Sequence, residues 1–189
     1  MALTEPPRSQ GRCWMPKHFD VLPKVLTDNR IRTFAEVGVY KGKFLKYMLR
    51  QIGGYLDQYW AIDQWQKLEY PKHGRMGKVP QESWDQMYRY ACQMMTYFPN
   101  LHVIRQPSAA ASTLFPDGYF DMVYIDASHH YEDVLADIVA WKPKVRSGGI
   151  LGGHDYINKQ AKLQAKRAVD EAFPEGVNTM EDTVWWVKL

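Results

Sequence analysis

Three short stretches of the chain concentrate the residue types that can move a proton, hold a cation or seat a nucleoside. Phe120-Asp-Met-Val-Tyr-Ile-Asp-Ala-Ser-His-His130 is an apolar run that stops at an acid, two small residues and two histidines. Gly149-Ile-Leu-Gly-Gly-His-Asp-Tyr156 stops the same way, at His154 and Asp155. A carboxylate and an imidazole at each of two such ends describe a hard-metal site or an acid–base site. Mg²⁺ takes one or two carboxylates plus water and substrate oxygens, and Asp126 and Asp155 supply two. His154 is a softer donor, better suited to Mn²⁺, Fe²⁺ or Zn²⁺. The third stretch is Glu36-Val-Gly-Val-Tyr-Lys-Gly42, followed by Asp63 at the end of Tyr59-Trp-Ala-Ile-Asp63. Gly38 lets a turn approach a ligand, Gly42 opens a helix, and a carboxylate at position 63 can accept both hydroxyls of a ribose. The dinucleotide fingerprint requires three glycines, and Tyr40 and Lys43 stand at its second and third positions. An adenosine-type ligand is therefore expected without that fingerprint.

For these residues to meet, the runs that end in them must be neighbouring strands with their carboxyl ends on one edge, where open α/β sheets bind ligands. Strands are expected at 33–39, 59–63, 101–105, 120–126 and from Gly149, with a closing hairpin of 177–180 and 183–188. Helices are expected at 18–29, 43–52, 81–98, 108–114, 132–142 and 158–173. Strands alternating with helices make a mostly parallel sheet with right-handed crossovers, while the last two strands, joined by about two residues, must be antiparallel. Ser108 reads as the cap of the Ala-rich helix and Ser128 as the cap of the helix after strand four. His130 reads as a cap or a packing residue, and Tyr131 and Tyr156 as packing. His154 has a second reading, as a residue supporting a ligand from behind.

The 189 residues suit one domain with a sound core. Residues 1–17, rich in Pro, Arg, Gln and Gly, read as a flexible N-terminal segment, and 18–189 as the domain. A net charge of +3 favours anionic ligands but is not the footprint of a dedicated nucleic-acid binder. Cys13 and Cys92 share no metal or redox spacing and read as free thiols of a reducing compartment. No apolar run approaches the ~20 residues of a membrane span. The first residues lack a signal peptide's apolar core, so a cytoplasmic protein with no membrane partner is expected. Residues 64–80 form a long polar loop, of the kind that is usually functional. With the helix as far as 98 it makes an expected acceptor lid of Trp65, Tyr70, Trp84 and Tyr88 with Lys67, Lys72, His73, Arg75 and Lys78. Such a surface stacks on sugars or rings and attracts phosphate. Met87, Tyr90, Met94 and Phe98 fit better as the packed face of an ordinary helix.

Taken together, E-x-G-x-x-x-G at 36–42, Asp63, Ile-Asp-Ala-Ser-His-His-Tyr-Glu at 125–132 and Lys-Val-Arg-Ser-Gly-Gly-Ile-Leu-Gly-Gly-His-Asp-Tyr at 144–156 resemble a class I S-adenosylmethionine-dependent methyltransferase. More narrowly, the pattern is similar to the branch of macrocin-type and glycan-cluster O-methyltransferases, methyltransferase family 24-like, over roughly residues 31–189. The resemblance implies an α/β, Rossmann-like, doubly wound fold with a mostly parallel seven-stranded sheet and an antiparallel last strand. It implies that Glu36, Gly38 and Gly42 surround the methionine and ribose of the donor, that Asp63 holds the ribose hydroxyls, and that Gln106-Pro-Ser108 lies near the adenine. Asp126 then borders donor and metal together, with Asp155 as the second carboxylate. The family often carries two acidic or amide ligands where this chain has His154-Asp155. His129 falls where similar sugar methyltransferases place the general base.

The expected function is transfer of a methyl group from S-adenosylmethionine to a hydroxyl of a small polyol, sugar or glycan, assisted by Mg²⁺ or another divalent metal. The alternatives are a nucleic-acid methyltransferase and a NAD-dependent oxidoreductase on a Rossmann-like fold. Ile-Asp-Ala-Ser lacks the Asn/Asp-Pro-Pro-aromatic motif of amino-group DNA methyltransferases, and the failed glycine pattern disfavours the oxidoreductase. The expected partner is a small-molecule or glycan acceptor, with nucleic acid disfavoured and a homo-oligomer compatible.

Overall fold

The computed structural model describes residues 17–68, 76–157, 164–180 and 183–189. Its strands are Thr33–Val37 (β1), Gln58–Asp63 (β2), Leu101–Arg105 (β3), Phe120–Ile125 (β4), Val145–Gly153 (β5), Asn178–Thr179 (β6) and Trp185–Lys188 (β7). They form one seven-stranded sheet of order β3-β2-β1-β4-β5-β7-β6. Pairing is parallel from β3 through β5, and β7 runs against both β5 and β6. The helices are Lys17–Asp28 (α1), Lys43–Ile52 (α2), Gln81–Met94 (α3), Ser108–Ser112 (α4), Tyr131–Trp141 (α5) and Gln164–Ala172 (α6).

The central strands are apolar on both faces because both faces are covered. Phe34, Tyr59, Met122 and Tyr124 point into one layer, with Leu22 and Leu26 of α1, Leu45 and Met48 of α2 and Trp84 of α3. Ala35, Val37, Val123 and Ile125, one residue out of phase, point into the other, with Ala111 of α4, Ile138 and Trp141 of α5 and Ala168 and Val169 of α6. The strand order reverses between β1 and β4, which opens a crevice at their carboxyl ends.

The expected boundaries shift where glycines redirect the chain. β1 stops at Val37 because Gly38, at φ +96°, turns away. β5 starts at Val145, before Gly149, through an irregularity at which its register with β4 jumps from Phe120–Val145 to Met122–Ile150. Gly148, at φ +73°, lies inside that bulge. α3 ends at Met94, short of 98. Residues 1–16 with Cys13, the lid residues Tyr70, Lys72, His73 and Arg75, and the start of the helix expected at 158 lie outside the described residues. No helix among the described residues is long and apolar enough to cross a membrane.

Candidate active site

The ladder extends one residue beyond β4 and β5. The Asp126 amide donates to the Val37 carbonyl at 2.7 Å, and the His154 amide to the Ile125 carbonyl at 3.0 Å. Two adjacent strand tips therefore place Asp126 and His154 side by side. Gly38 is required by the same crossing. A Cβ there would sit 2.2 Å from the Asp126 carbonyl oxygen and 2.6 Å from the Ala127 Cα. The space Gly38 leaves is thus filled by the backbone of its neighbour strand.

His129 Nδ1 lies 2.7 Å from Asp155 Oδ2, and His154 Nδ1 lies 3.4 Å from that oxygen and 3.9 Å from Asp126 Oδ1. Thr183 Oγ1 is 3.4 Å from His154 Nε2. Asp155 has φ +63°, a left-handed conformation that aspartate tolerates better than most residues. Burial alone would raise the Asp155 carboxyl, but hydrogen bonds from His129 and His154 outweigh it and hold the group well below the usual carboxylate range. Burial pushes Asp126 up to about 6. The bond to Asp155 raises the His129 ring above its ordinary value. The two neighbouring carboxyls are thus shifted in opposite directions. Asp126, His154 and Asp155 also offer one ligand atom each, all within 4.8 Å of one another. Two carboxylates and one imidazole fit a hard or borderline divalent cation. Ser128 does not cap α5, whose N-cap position is His130. Its hydroxyl donates to Asp133 at 2.7 Å and accepts the His130 amide at 3.3 Å, closing the loop that carries His129.

The donor half is more tightly self-bonded than its residue types suggested. Asp63 Oδ2 accepts the amides of Val39 and Tyr40 at 2.9 and 2.8 Å, and Oδ1 accepts that of Trp65 at 2.7 Å. The carboxylate thus ties the β1–α2 turn to the end of β2, with part of its acceptor capacity left over. Glu36 is 1% exposed and accepts the Tyr59 hydroxyl at 2.5 Å. Burial holds its carboxyl well above the usual range. Gly42, at φ +67°, precedes α2, and the Tyr90 ring lies 3.3 Å from where its Cβ would be.

Ser108 is not the cap of α4, whose N-cap is Pro107. Its hydroxyl accepts the Trp141 indole N–H at 2.8 Å and bonds Asp137, so it faces α5. Gln106 and Pro107 instead join Gln64, Gln66, Gln81 and Arg105 around a cavity of about 320 Å³ at the ends of β2 and β3. Its side-chain amides offer the paired donors and acceptors that a purine edge needs.

The expected lid is corrected in two places. Trp65 is fully buried, with its indole N–H on the Tyr40 carbonyl at 3.0 Å, and Trp84 is buried against Tyr40. Arg105 and Gln81 hold the Trp65 carbonyl, and both bond Asp85. A second groove, of about 630 Å³, opens between the β1–α2 turn and α3, lined by Tyr40, Lys41, Lys78, Ser83, Met87 and Tyr90 among others. Lys78 was expected on such a surface; Met87 and Tyr90 were expected in packing.

Residues 35–156 match the model of a methyltransferase-domain family, family 24. The chain belongs to this family. The donor of this class I methyltransferase is S-adenosylmethionine, which decides against the dinucleotide-dependent oxidoreductase. Solved structures share the fold. A Staphylococcus aureus protein assigned as a caffeoyl-CoA O-methyltransferase aligns with a TM-score of 0.63 at 13% identity, over 93% of this chain and 85% of its own. CalS11, a TDP-rhamnose 3'-O-methyltransferase of calicheamicin biosynthesis, gives 0.56 at 14% identity, over 91% and 79%. The O-methyltransferase NovP gives 0.61 at 17% identity, over 91% and 78%. No curated protein matches the chain by sequence.

Two residues of the candidate site escaped the pattern. Tyr59 reads as a strand aromatic, and only its inward-facing register brings its hydroxyl to Glu36. Thr183 reads as the first residue of the closing strand, and it reaches His154 because β7 returns beside β5.

Proposed function

We propose that the enzyme methylates a hydroxyl of a small polyol, sugar or glycan, with His129 as general base. The observation that carries this is the 2.7 Å contact between His129 Nδ1 and Asp155, beside Asp126 at the strand-end crevice. A carboxylate on one ring nitrogen fixes the tautomer and leaves the other nitrogen to accept a proton. Methyl transfer to oxygen needs such a base, because a neutral hydroxyl is a weak nucleophile and its proton must leave as the new bond forms. S-adenosylmethionine supplies an electrophilic methyl group on a sulfonium. His129 Nε2 takes the hydroxyl proton, and Asp155, held ionised, stabilises the resulting imidazolium. The Gln64, Gln66 and Gln106 amides suit the adenine, and Asp63 the ribose, through the acceptor capacity its three amides leave.

Asp126, His154 and Asp155 are the residues that would hold a divalent cation. Such an ion would acidify and orient an acceptor hydroxyl. An O-linked acceptor also agrees with CalS11, whose own acceptor is TDP-rhamnose. The test is titration calorimetry with S-adenosylhomocysteine, then a screen of sugars, polyols and nucleotide sugars as acceptors with and without EDTA. Turnover of a hydroxyl acceptor, lost in His129→Ala with donor binding retained, is expected. Methylation confined to amine or thiol acceptors would overturn the assignment, and full activity in excess EDTA would remove the metal.

A further inference from the structure

We propose that α6 is a brace that sets the distance between His129 and Asp155, acting through the tyrosine that follows each of their loops. The proposal rests on the reading of His129 and Asp155 as the proton-handling pair. The strand tips fix Asp126 and His154 through backbone bonds, but His129 lies four residues beyond β4 and Asp155 two beyond β5. The backbone beside Asp155 is tied to the sheet edge by the Tyr156 amide on the Thr183 carbonyl at 2.9 Å, but among the described residues no strand pairing reaches the loop that carries His129, which meets Asp155 at 2.7 Å. The loop from β4 ends on Tyr131, and the one from β5 passes directly into Tyr156.

Both tyrosines run to α6, to residues one position apart. The Tyr131 hydroxyl donates to Glu171 at 2.5 Å, and the Arg167 guanidinium lies 3.8 Å over its ring. The Tyr131 amide donates to Gln164 Oε1 at 3.1 Å. The Tyr156 hydroxyl donates to Asp170 at 2.6 Å, and Lys166 lies 4.8 Å over its ring while also bonding Asp170. The helix therefore presents two cation–acid sets, Lys166 with Asp170 and Arg167 with Glu171. Each set takes one tyrosine by its ring face and its hydroxyl. Ala165, Ala168 and Val169 bury the other side of α6 in the core, so the brace is anchored. The side chains of Lys166 and Asp170 are 37% and 44% exposed, so their bonds contribute little to global stability. Their effect is on geometry, where displacement by about 1 Å is costly to rate. Tyr131, Tyr156, Asp170 and Glu171 are positioning residues.

The test reads the His129 ring in the free protein, with neither acceptor nor metal required. In spectra recorded alkaline enough for the ring to show the neutral-imidazole pattern, a solvated imidazole favours the Nε2–H form. In the parent protein, long-range ¹H–¹⁵N spectra should show His129 as the Nδ1–H tautomer, because Nδ1 faces the Asp155 carboxylate. Asp170→Ala with Glu171→Ala should lose that form while thermal unfolding stays cooperative. Asp170→Asn with Glu171→Gln should retain it, since an amide oxygen still accepts from a tyrosine hydroxyl. Should the double alanine variant fail to fold, Tyr131→Phe with Tyr156→Phe removes only the two hydroxyls and is expected to lose the tautomer likewise. A folded variant of either kind that keeps the parent tautomer overturns the brace. An Nε2–H ring in the parent overturns both the brace and the His129–Asp155 pairing. A normal tautomer response without hydroxyl methylation strikes the functional reading alone.

Discussion

Asp63 offers the sharpest quantitative test of the donor half. Its carboxylate accepts three backbone amides, from Val39, Tyr40 and Trp65, at 2.7 to 2.9 Å. Hydrogen bonds to a charged group are worth about 1.5–3 kcal/mol each, and a stranded amide costs about as much. Three at the low end would exceed 4 kcal/mol, but the residue is only partly buried, so water can reach part of the space. Asp63→Ala should therefore destabilise by about 3 kcal/mol, or roughly 6–12 °C in Tm for a domain of this size. Asp63→Asn keeps one oxygen for Val39 and Tyr40 but sets an NH₂ against the Trp65 amide, and should cost about half as much. Urea unfolding measures both, and calorimetry with S-adenosylhomocysteine should show affinity falling at least about tenfold in the alanine variant as the turn loosens. An alanine variant within about 0.5 kcal/mol of the parent would refute the account of the turn. Lost affinity with unchanged stability would make Asp63 a ligand contact alone.

Other perturbations follow from the same geometry. Asp137, buried beside Ser108, has its carboxyl pushed up to about 6. Its contribution to stability is intact below the unfolded value near 4 and is lost as pH rises through about 6. Asp137→Asn should gain on the parent by roughly 2 kcal/mol between about pH 4.5 and about pH 7.5 in urea unfolding, and a gap independent of pH would contradict the burial argument. Gly38→Ala should cost roughly 3 kcal/mol or more, because its Cβ meets backbone and φ is +96°; a soluble variant of normal stability would show that β1 and β4 can part freely. His129→Ala should lower kcat by about 10²–10⁴-fold with donor affinity retained, and His130→Ala should be mild; equal effects would assign the base wrongly.

The strand-end chemistry was legible because two apolar runs terminated in acids and histidines, and a parallel sheet brings such ends to one edge. Asp126, His129, His154 and Asp155 do converge. Less legible were residues whose roles depend on what packs above them. Asp63 reads as a ribose acceptor, yet three amides reach it once the chain folds back as Trp65. Ser108 reads as a donor-site residue, but its hydroxyl serves Trp141 and Asp137, 33 and 29 residues away in sequence. Trp65 and Trp84 read as a presented surface because no periodicity distinguishes an aromatic that covers a turn from one that faces a ligand. Tyr131 and Tyr156 read as packing because the polar positions of α6 look like a solvated face.

The slot between β5 and β6 carries a consequence for how the chain is made. β7 fills it with residues 185–188, and its seat is lined by Gly152 and Gly153, where a Cβ would fall 2.8 Å from the Trp185 carbonyl and 2.8 Å from its indole nitrogen. Until those residues leave the ribosome, β5 presents an open edge of unpaired amides and carbonyls along a glycine-rich strand. Such an edge is a template for pairing with other chains. Nascent chains halted before Trp185 should therefore carry most of the fold and yet be the species most prone to aggregate.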